Sequence, residues 1–141
     1  MRIAFASDHA GVGLKDQLAA HARQLGHEVV DLGTNGADSV DYPDYGRRCA
    51  EAVALAEVDR GVVVCGTGIG ISMAANKVAG VRCALVHDVT TARMARLHND
   101  ANMLAIGARV VGPQVADDCL VAFIETAFEG GRHQRRVEKI G

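Results

Sequence analysis

The sequence predicts an α/β protein: one domain with a five-stranded parallel sheet between two layers of helices. Three observations carry this prediction. Five strand-sized apolar runs alternate with stretches whose apolar residues recur at helical spacing, the pattern of parallel strands joined by helical crossovers. The chain has 141 residues, 49% apolar and 23% charged, which suits a single globular domain with a full core. The run Val62-Val63-Val64-Cys65 is followed by glycine at every second position through Gly70. That is a buried strand running into a turn that lets the backbone come close to a ligand.

The elements follow in order. Arg2 to Ala6 reads as a first strand leading into Ser7-Asp8-His9-Ala10-Gly11. Leu14, Leu18, Ala22 and Leu25 recur at helical spacing, and Gly26 stops that helix. His27 to Leu32 is a second strand closed by the turn cluster Gly33-Thr34-Asn35-Gly36. Asp41-Tyr42-Pro43-Asp44-Tyr45 opens a second helix, with Pro43 in its first turn and Tyr45, Cys49, Val53 and Ala56 on its core face. After Asp59-Arg60-Gly61 comes the central strand, then a helix through Lys77. Val81 to Val86 is a fourth strand, Thr90 to Leu97 a short helix, and His98-Asn99-Asp100-Ala101-Asn102 a polar turn. Met103 to Gly107 is the fifth strand. Pro113 to Phe128 is a last long helix, apolar on more than one face (Cys119, Leu120, Ala122, Phe123, Ile124), which suggests a subunit interface. Gly130-Gly131 then releases a short basic tail. There is no internal repeat and no second domain.

Composition narrows the function. A formal net charge of −2 gives no footprint for a nucleic-acid partner. The apolar runs are too short for a membrane span. No secretory signal precedes the first strand. The four cysteines, Cys49, Cys65, Cys83 and Cys119, are far apart with no CxxC or CxH pair, so neither a disulfide framework nor a zinc site is expected. These features suit a reduced, cytoplasmic protein.

The glycine loop is not a Walker A motif, since no GK[ST] follows, and its third glycine is misplaced for a dinucleotide fingerprint. Its amides, Gly66 through Ser72 (Gly66, Thr67, Gly68, Ile69, Gly70, Ile71, Ser72), read as an anion site at the start of a helix. Cys65 stands directly before them, where a helix N-terminus favours a thiolate able to act as nucleophile or base. Asp8 and His9 leave the first strand, beside the loop if the first and third strands are neighbours. Asp8 is either an acid–base group or a helix cap. Tyr42 is either a hydrophobic staple or a hydroxyl aimed at the site. Arg132 and Arg136, four apart, form a pincer for a phosphate dianion if the tail is helical.

Taken together, Ser7-Asp8-His9-Ala10-Gly11, Asp41-Tyr42-Pro43-Asp44-Tyr45, Cys65-Gly66-Thr67-Gly68-Ile69-Gly70-Ile71-Ser72 with Ala74-Ala75-Asn76-Lys77, His98-Asn99-Asp100 and Gly130-Gly131-Arg132-His133-Gln134-Arg135-Arg136-Val137 make the chain resemble the B-type ribose-5-phosphate isomerase family. That family includes galactose-6-phosphate and allose-6-phosphate isomerases. The resemblance spans essentially the whole chain. It implies a Rossmann-like α/β/α sandwich and a metal-free, cofactor-free aldose–ketose isomerase of the non-oxidative pentose phosphate pathway, working through a cis-enediolate on D-ribose 5-phosphate and D-ribulose 5-phosphate. Carried across, Cys65 is the base, Thr67 and Asp8 shuttle the proton between O1 and O2, and the loop amides hold the enediolate. Some relatives replace this cysteine with a later glutamate, but Ser72 and Met73 stand in that region here. His98 opens the furanose ring from the other subunit of a homodimer, or of a tetramer built from dimers. Tyr42 and Asn99 lie near the sugar. His9, Arg109, Arg132 and Arg136 bind the phosphate, with residues 130–141 reaching the neighbouring subunit. His133 matches the family tail without an assigned role.

Two other readings remain at this level. One is an isomerase of another phosphosugar, such as allose 6-phosphate, galactose 6-phosphate or a tetrose phosphate. The other is a non-catalytic phosphosugar- or nucleotide-binding module, which has no need of Cys65, Asp8 and His98 together. A redox-sensor role for Cys65 ranks last, since no partner cysteine is near in sequence.

Overall fold

The computed structural model describes residues 1–141. Five strands and six helices alternate along the chain. They are β1 (Arg2–Ser7), α1 (Val12–Gln24), β2 (Glu28–Asp31), α2 (Tyr42–Ala54), β3 (Arg60–Cys65), α3 (Ile69–Asn76), β4 (Cys83–Leu85), α4 (Val89–Asn99), β5 (Met103–Gly107), α5 (Pro113–Glu125) and α6 (Arg132–Ile140). A single 3-10 turn, His9–Gly11, links β1 to α1. The sheet is wholly parallel, in the order β2-β1-β3-β5-β4. β1 and β3 are neighbours, with Ser7 in register with Val64. From β1 the chain moves outward to β2, and from β3 it moves to the other side. The crevice between the C-terminal ends of β1 and β3 is therefore the switch point where open α/β sheets bind ligands.

Strand alternation divides the core by size. Ile3, Phe5, Val62, Val64, Leu104 and Ile106 face α1, α4 and α5. Ala4, Ala6, Val63, Cys65, Met103 and Ala105 face α2 and α3. The second face is mostly small side chains, so α2 and α3 lie close to the sheet and to each other. Cys65 ends β3 on this face.

The structure moves several sequence-derived boundaries. β4 keeps only Cys83–Leu85 of the expected Val81–Val86, because Arg82 turns in and gives its N–H to Asn102 Oδ1. β2 is likewise shorter, and both are edge strands. Ala56 lies past the end of α2 at φ 57° and is exposed, so it is not on the core stripe. α4 continues through His98 and Asn99, which the sequence placed in a turn, and ends at Asp100, a left-handed residue that bonds back to Arg96. α5 stops at Glu125, three residues before Phe128. The buried Arg96 takes the Thr126 carbonyl at 3.1 Å, which turns the chain out of the helix. Cys119, Leu120, Ala122, Phe123 and Ile124 of α5 are already covered within one chain by α1, α4 and the sheet, which accounts for their apolar character. The expected tail is the regular helix α6.

Candidate active site

The crevice between β1 and β3 gathers most of the candidate residues. Cys65 is 4% exposed, and its Sγ accepts the Gly68 N–H at 3.1 Å. Gly68 makes this possible at φ 78°, a left-handed conformation, in a spot where a Cβ would stand 2.6 Å from Leu85 Cδ1 and 2.9 Å from the Ile106 carbonyl carbon. The loop thus folds back over the end of β3 and turns an amide onto the sulfur. A hydrogen-bond donor in that position suits a sulfur anion better than a thiol.

The other loop amides divide into used and unused donors. Ser72 N bonds the Gly68 carbonyl, Ser72 Oγ donates to the Ile69 carbonyl at 2.7 Å, and Ile69 N donates to Thr67 Oγ1 at 3.2 Å. Ser72 therefore closes the first turn of α3, and with the Gly68 and Ile69 N–H groups also engaged, only part of the Gly66 to Ser72 run expected to hold an anion has amides to offer. The N–H groups of Gly66, Thr67, Gly70 and Ile71 have no acceptor within the protein. They form an anion cradle at the positive end of α3.

Asp8 lies across the crevice, 7% exposed. Its Oδ1 accepts the Gly11 N–H at 3.1 Å, so it is the helix cap that the sequence allowed for. Its second carboxylate oxygen makes no hydrogen bond within the protein, so the capping role leaves one oxygen for chemistry. His9 is exposed at the rim. Its Nδ1 accepts the Val40 N–H at 3.2 Å, which puts the ring proton on Nε2, the outward nitrogen. Tyr42 starts α2 and lies over Gly70, so that a Cβ there would sit 2.8 Å from the phenol oxygen. The Tyr42 hydroxyl is therefore at the loop, as one of its two readings required. Arg109 follows β5, gives its N–H to the Gly66 carbonyl at 2.9 Å, and passes its guanidinium beside Gly66. It has no acidic partner.

Four candidates do not join this group. The strands all end at one edge of the sheet, and α4 runs from that edge back toward the start of β5. His98 and Asn99, its last two residues, are therefore at the opposite edge, where Arg82 donates to the Asn99 carbonyl at 3.1 Å. α6 packs on α4 there. His133 stacks on His98, ring centroids 4.3 Å apart and nearly parallel, and Val137 is buried beside it. Arg132 and Arg136 project from the other face of α6, exposed and without acidic partners. A six-residue strand spans about 20 Å. Cys65, at the end of β3, and His98, at the end of α4, therefore stand at opposite ends of the sheet in one chain.

The other three cysteines are buried as well. Burial pushes the Cys49 thiol up to about 12 and the Cys119 thiol up to about 11, and it raises Cys83 as well. All three are inert packing groups. A groove of 610 Å³ runs along the β4 edge between Asn76, Arg82, Asn99 and Ile140, and it holds no convergent acid–base groups.

Sequence reasoning missed two contributors. The turn cluster Gly33 to Gly36 opens a longer segment, through Val40, that walls the site. Ser7 N bonds the Gly33 carbonyl, Thr34 N bonds the Ser7 carbonyl, and Val40 orients His9. Lys15 sits on a helix face where lysine is normally solvated. It is fully buried and binds Asp31 at 2.9 and 3.0 Å, Asn35 at 2.8 Å and Asp16 at 3.1 Å, pinning that segment. No local sequence signal marks it.

Known proteins match this arrangement along its whole length. The family described as Ribose/Galactose Isomerase matches residues 3–140. The chain is 48% identical over 139 residues to ribose-5-phosphate isomerase B of Escherichia coli, covering 99% of this chain and 93% of the relative. The solved structure of Clostridium thermocellum ribose-5-phosphate isomerase B superposes with a TM-score of 0.98 at 53% identity, covering 100% of this chain and 95% of that one. The Mycoplasma genitalium ribose-5-phosphate isomerase B, solved with bound ribulose 5-phosphate, superposes at 0.94 with 44% identity, covering 99% and 93%.

Proposed function

This chain belongs to the ribose/galactose isomerase family, and on that premise we propose how its residues interconvert D-ribose 5-phosphate and D-ribulose 5-phosphate. The observation that carries the reading is Cys65, seated under a loop whose Gly66, Thr67, Gly70 and Ile71 amides have no internal acceptor. A thiolate and an anion cradle in contact are what proton abstraction next to a carbonyl requires.

The Cys65 thiolate takes the proton from C2 of the open-chain aldose, and the electron pair moves onto O1. The resulting cis-enediolate is negative, and the loop amides meet that charge where it develops. Preorganised donors of this kind contribute about 3 kcal/mol each. Thr67 and the free oxygen of Asp8 pass the O2 proton to O1. Thr67 Oγ1 accepts the Ile69 N–H, which leaves its own proton to donate. The Cys65 thiol then returns its proton to C1, giving the ketose. Tyr42 packs against the sugar side of the loop.

The phosphate does not react, so its binding energy serves positioning. His9 Nε2 and Arg109 supply donors from the crevice. Arg132 and Arg136, with the ring-opening His98 and Asn99, come from a partner subunit in a homodimer with shared sites. The support for this is topological: within one chain these four lie at the wrong end of the sheet, and their cations are exposed and unpaired. The α6 helix, held on its own α4 by His133 and Val137, is the arm that carries the arginines across.

The test uses two variants. Cys65→Ala and His98→Asn are each expected to lose isomerisation of ribose 5-phosphate. When the two are co-expressed, half of the dimers are mixed and each mixed dimer has one intact site, so activity should return to about a quarter of wild type. Near-normal activity of Cys65→Ala removes the base assignment, and no recovery in the mixture removes the shared site. A panel of five- and six-carbon aldose phosphates fixes the preferred sugar. Deuterium incorporation at C1 and C2 in heavy water separates catalysis from binding.

A further inference from the structure

We propose that His98, Glu129 and His133 form a binding site for a divalent transition-metal ion of the Zn²⁺ class. One ligand atom from each of the three lies within 4.8 Å of the others. His133 is 5% exposed, and its Nε2 is buried with no hydrogen-bond partner. That nitrogen faces Glu129 Oε2 at 3.9 Å, too far for a hydrogen bond and wide enough to admit an ion between them. An orphaned imidazole nitrogen in a packed setting is costly, and a metal ion would satisfy it.

The donor set defines the ion. Two imidazoles and one carboxylate suit Zn²⁺, Co²⁺ or Ni²⁺, whereas Mg²⁺ and Ca²⁺ prefer oxygen alone. Three protein ligands leave a coordination position open to water or to a phosphate oxygen. Ligand atoms on tetrahedral Zn²⁺ are about 3.3 Å apart. Glu129 is exposed and His98 half-exposed at the helix end, so both can close that gap while His133 stays fixed; the His98 ring, stacked nearly parallel on His133, turns out of that stack to aim its lone pair at the ion. Arg132 and Arg136 oppose a cation, and the Glu129 carboxylate offsets them in part.

The functional consequence rests on the isomerase reading: an ion bound here captures the ring that opens the furanose, so it inhibits. The experiment first measures binding apart from activity. Zn²⁺ is titrated calorimetrically into the full chain carrying Cys65→Ala, prepared without a polyhistidine tag, so that the thiol in the crevice cannot compete. One ion per chain is expected. Glu129→Gln, a surface change, should weaken it by about tenfold or more, and His133→Gln should abolish it. Absence of saturable binding, or affinity within about twofold of the parent in the Glu129→Gln chain, overturns the site. The second measurement is inhibition of the unmodified enzyme by Zn²⁺, reversed by a chelator and shifted to higher Zn²⁺ by Glu129→Gln. Saturable binding that leaves activity untouched upholds the site and counts against His98 as the ring-opening group.

Discussion

Replacing Gly70 by alanine separates stability from activity at the loop. A Cβ at Gly70 would stand 2.5 Å from Tyr42 Cζ and 2.8 Å from its hydroxyl. Carbon atoms in contact settle near 3.5 to 4.0 Å, so the ring must retreat by about 1 Å. Tyr42 is 40% exposed and can swing outward without unpacking the core. Gly70 lies in the first turn of α3, where alanine gains up to about 1 kcal/mol over glycine. Gain and strain nearly cancel, so the melting temperature should move by no more than about 4 °C. Catalysis is less tolerant. A misplacement of about 1 Å among groups that hold a reacting substrate costs on the order of 100-fold, or about 2.7 kcal/mol of barrier. Steady-state ketose formation from ribose 5-phosphate should therefore show kcat/KM about 100-fold lower. In a Gly70→Ala/Tyr42→Ala chain the clash is gone, so the double variant should be no worse than Tyr42→Ala alone. A Gly70→Ala enzyme within about threefold of wild type would refute the claim that Tyr42 and the loop form one surface against the sugar.

Removing either tail arginine, as Arg132→Ala or Arg136→Ala, should raise KM for ribose 5-phosphate by about tenfold or more, the value of one charge-assisted hydrogen bond, with a smaller effect on kcat. An unchanged KM would take the tail out of the phosphate site. Lys15→Met leaves the solvent-exposed Asp31 carboxylate without its buried cation and should cost about 1 kcal/mol in denaturant melts. Burial pushes the Asp31 carboxyl upward, but the hydrogen bonds from Lys15 and Gly33 and the charges of Lys15 and Arg23 outweigh it, so the net value lies below 3.8. The stability linked to that group is complete above pH 3.8 and is lost as pH falls through the lower folded value. Lys15→Met should flatten that acid-side loss, and an unchanged acid transition would show that the pair does not govern it.

The fold was legible because its strands are apolar and β-branched and its helices carry clear stripes. β5 was read at its true limits, since the polar run His98 to Asn102 precedes Met103 and Gly107 closes the strand. Errors fell where long-range contacts decide. The end of α5 depends on Arg96 reaching Thr126, thirty residues away in sequence, and the length of β4 depends on the side chain of Asn102. In the site, Cys65, the glycines and Asp8 were visible because strand ends and glycine spacing are local signals. That His98 lies at the far end of the sheet from Cys65 was not visible, because it follows from the direction of α4 against parallel strands. Lys15 was not visible either, since a buried lysine on an amphipathic helix has the sequence of a solvated one.

The unequal sizes on the two faces of the sheet set opposite rules for substitution. Phe5, Leu104 and Ile106 fill their layer, so trimming them opens cavities costing about 2 to 5 kcal/mol. Ala4, Ala6 and Ala105 have almost nothing to trim, and enlarging them would push α2 and α3 outward together with the Tyr42 end of α2 and the loop amides. A saturation library selected only for folding would tolerate larger residues on neither face. One selected for turnover would be far stricter on the alanine face, because there an added methyl group shifts the geometry of the chemistry before it unfolds the chain.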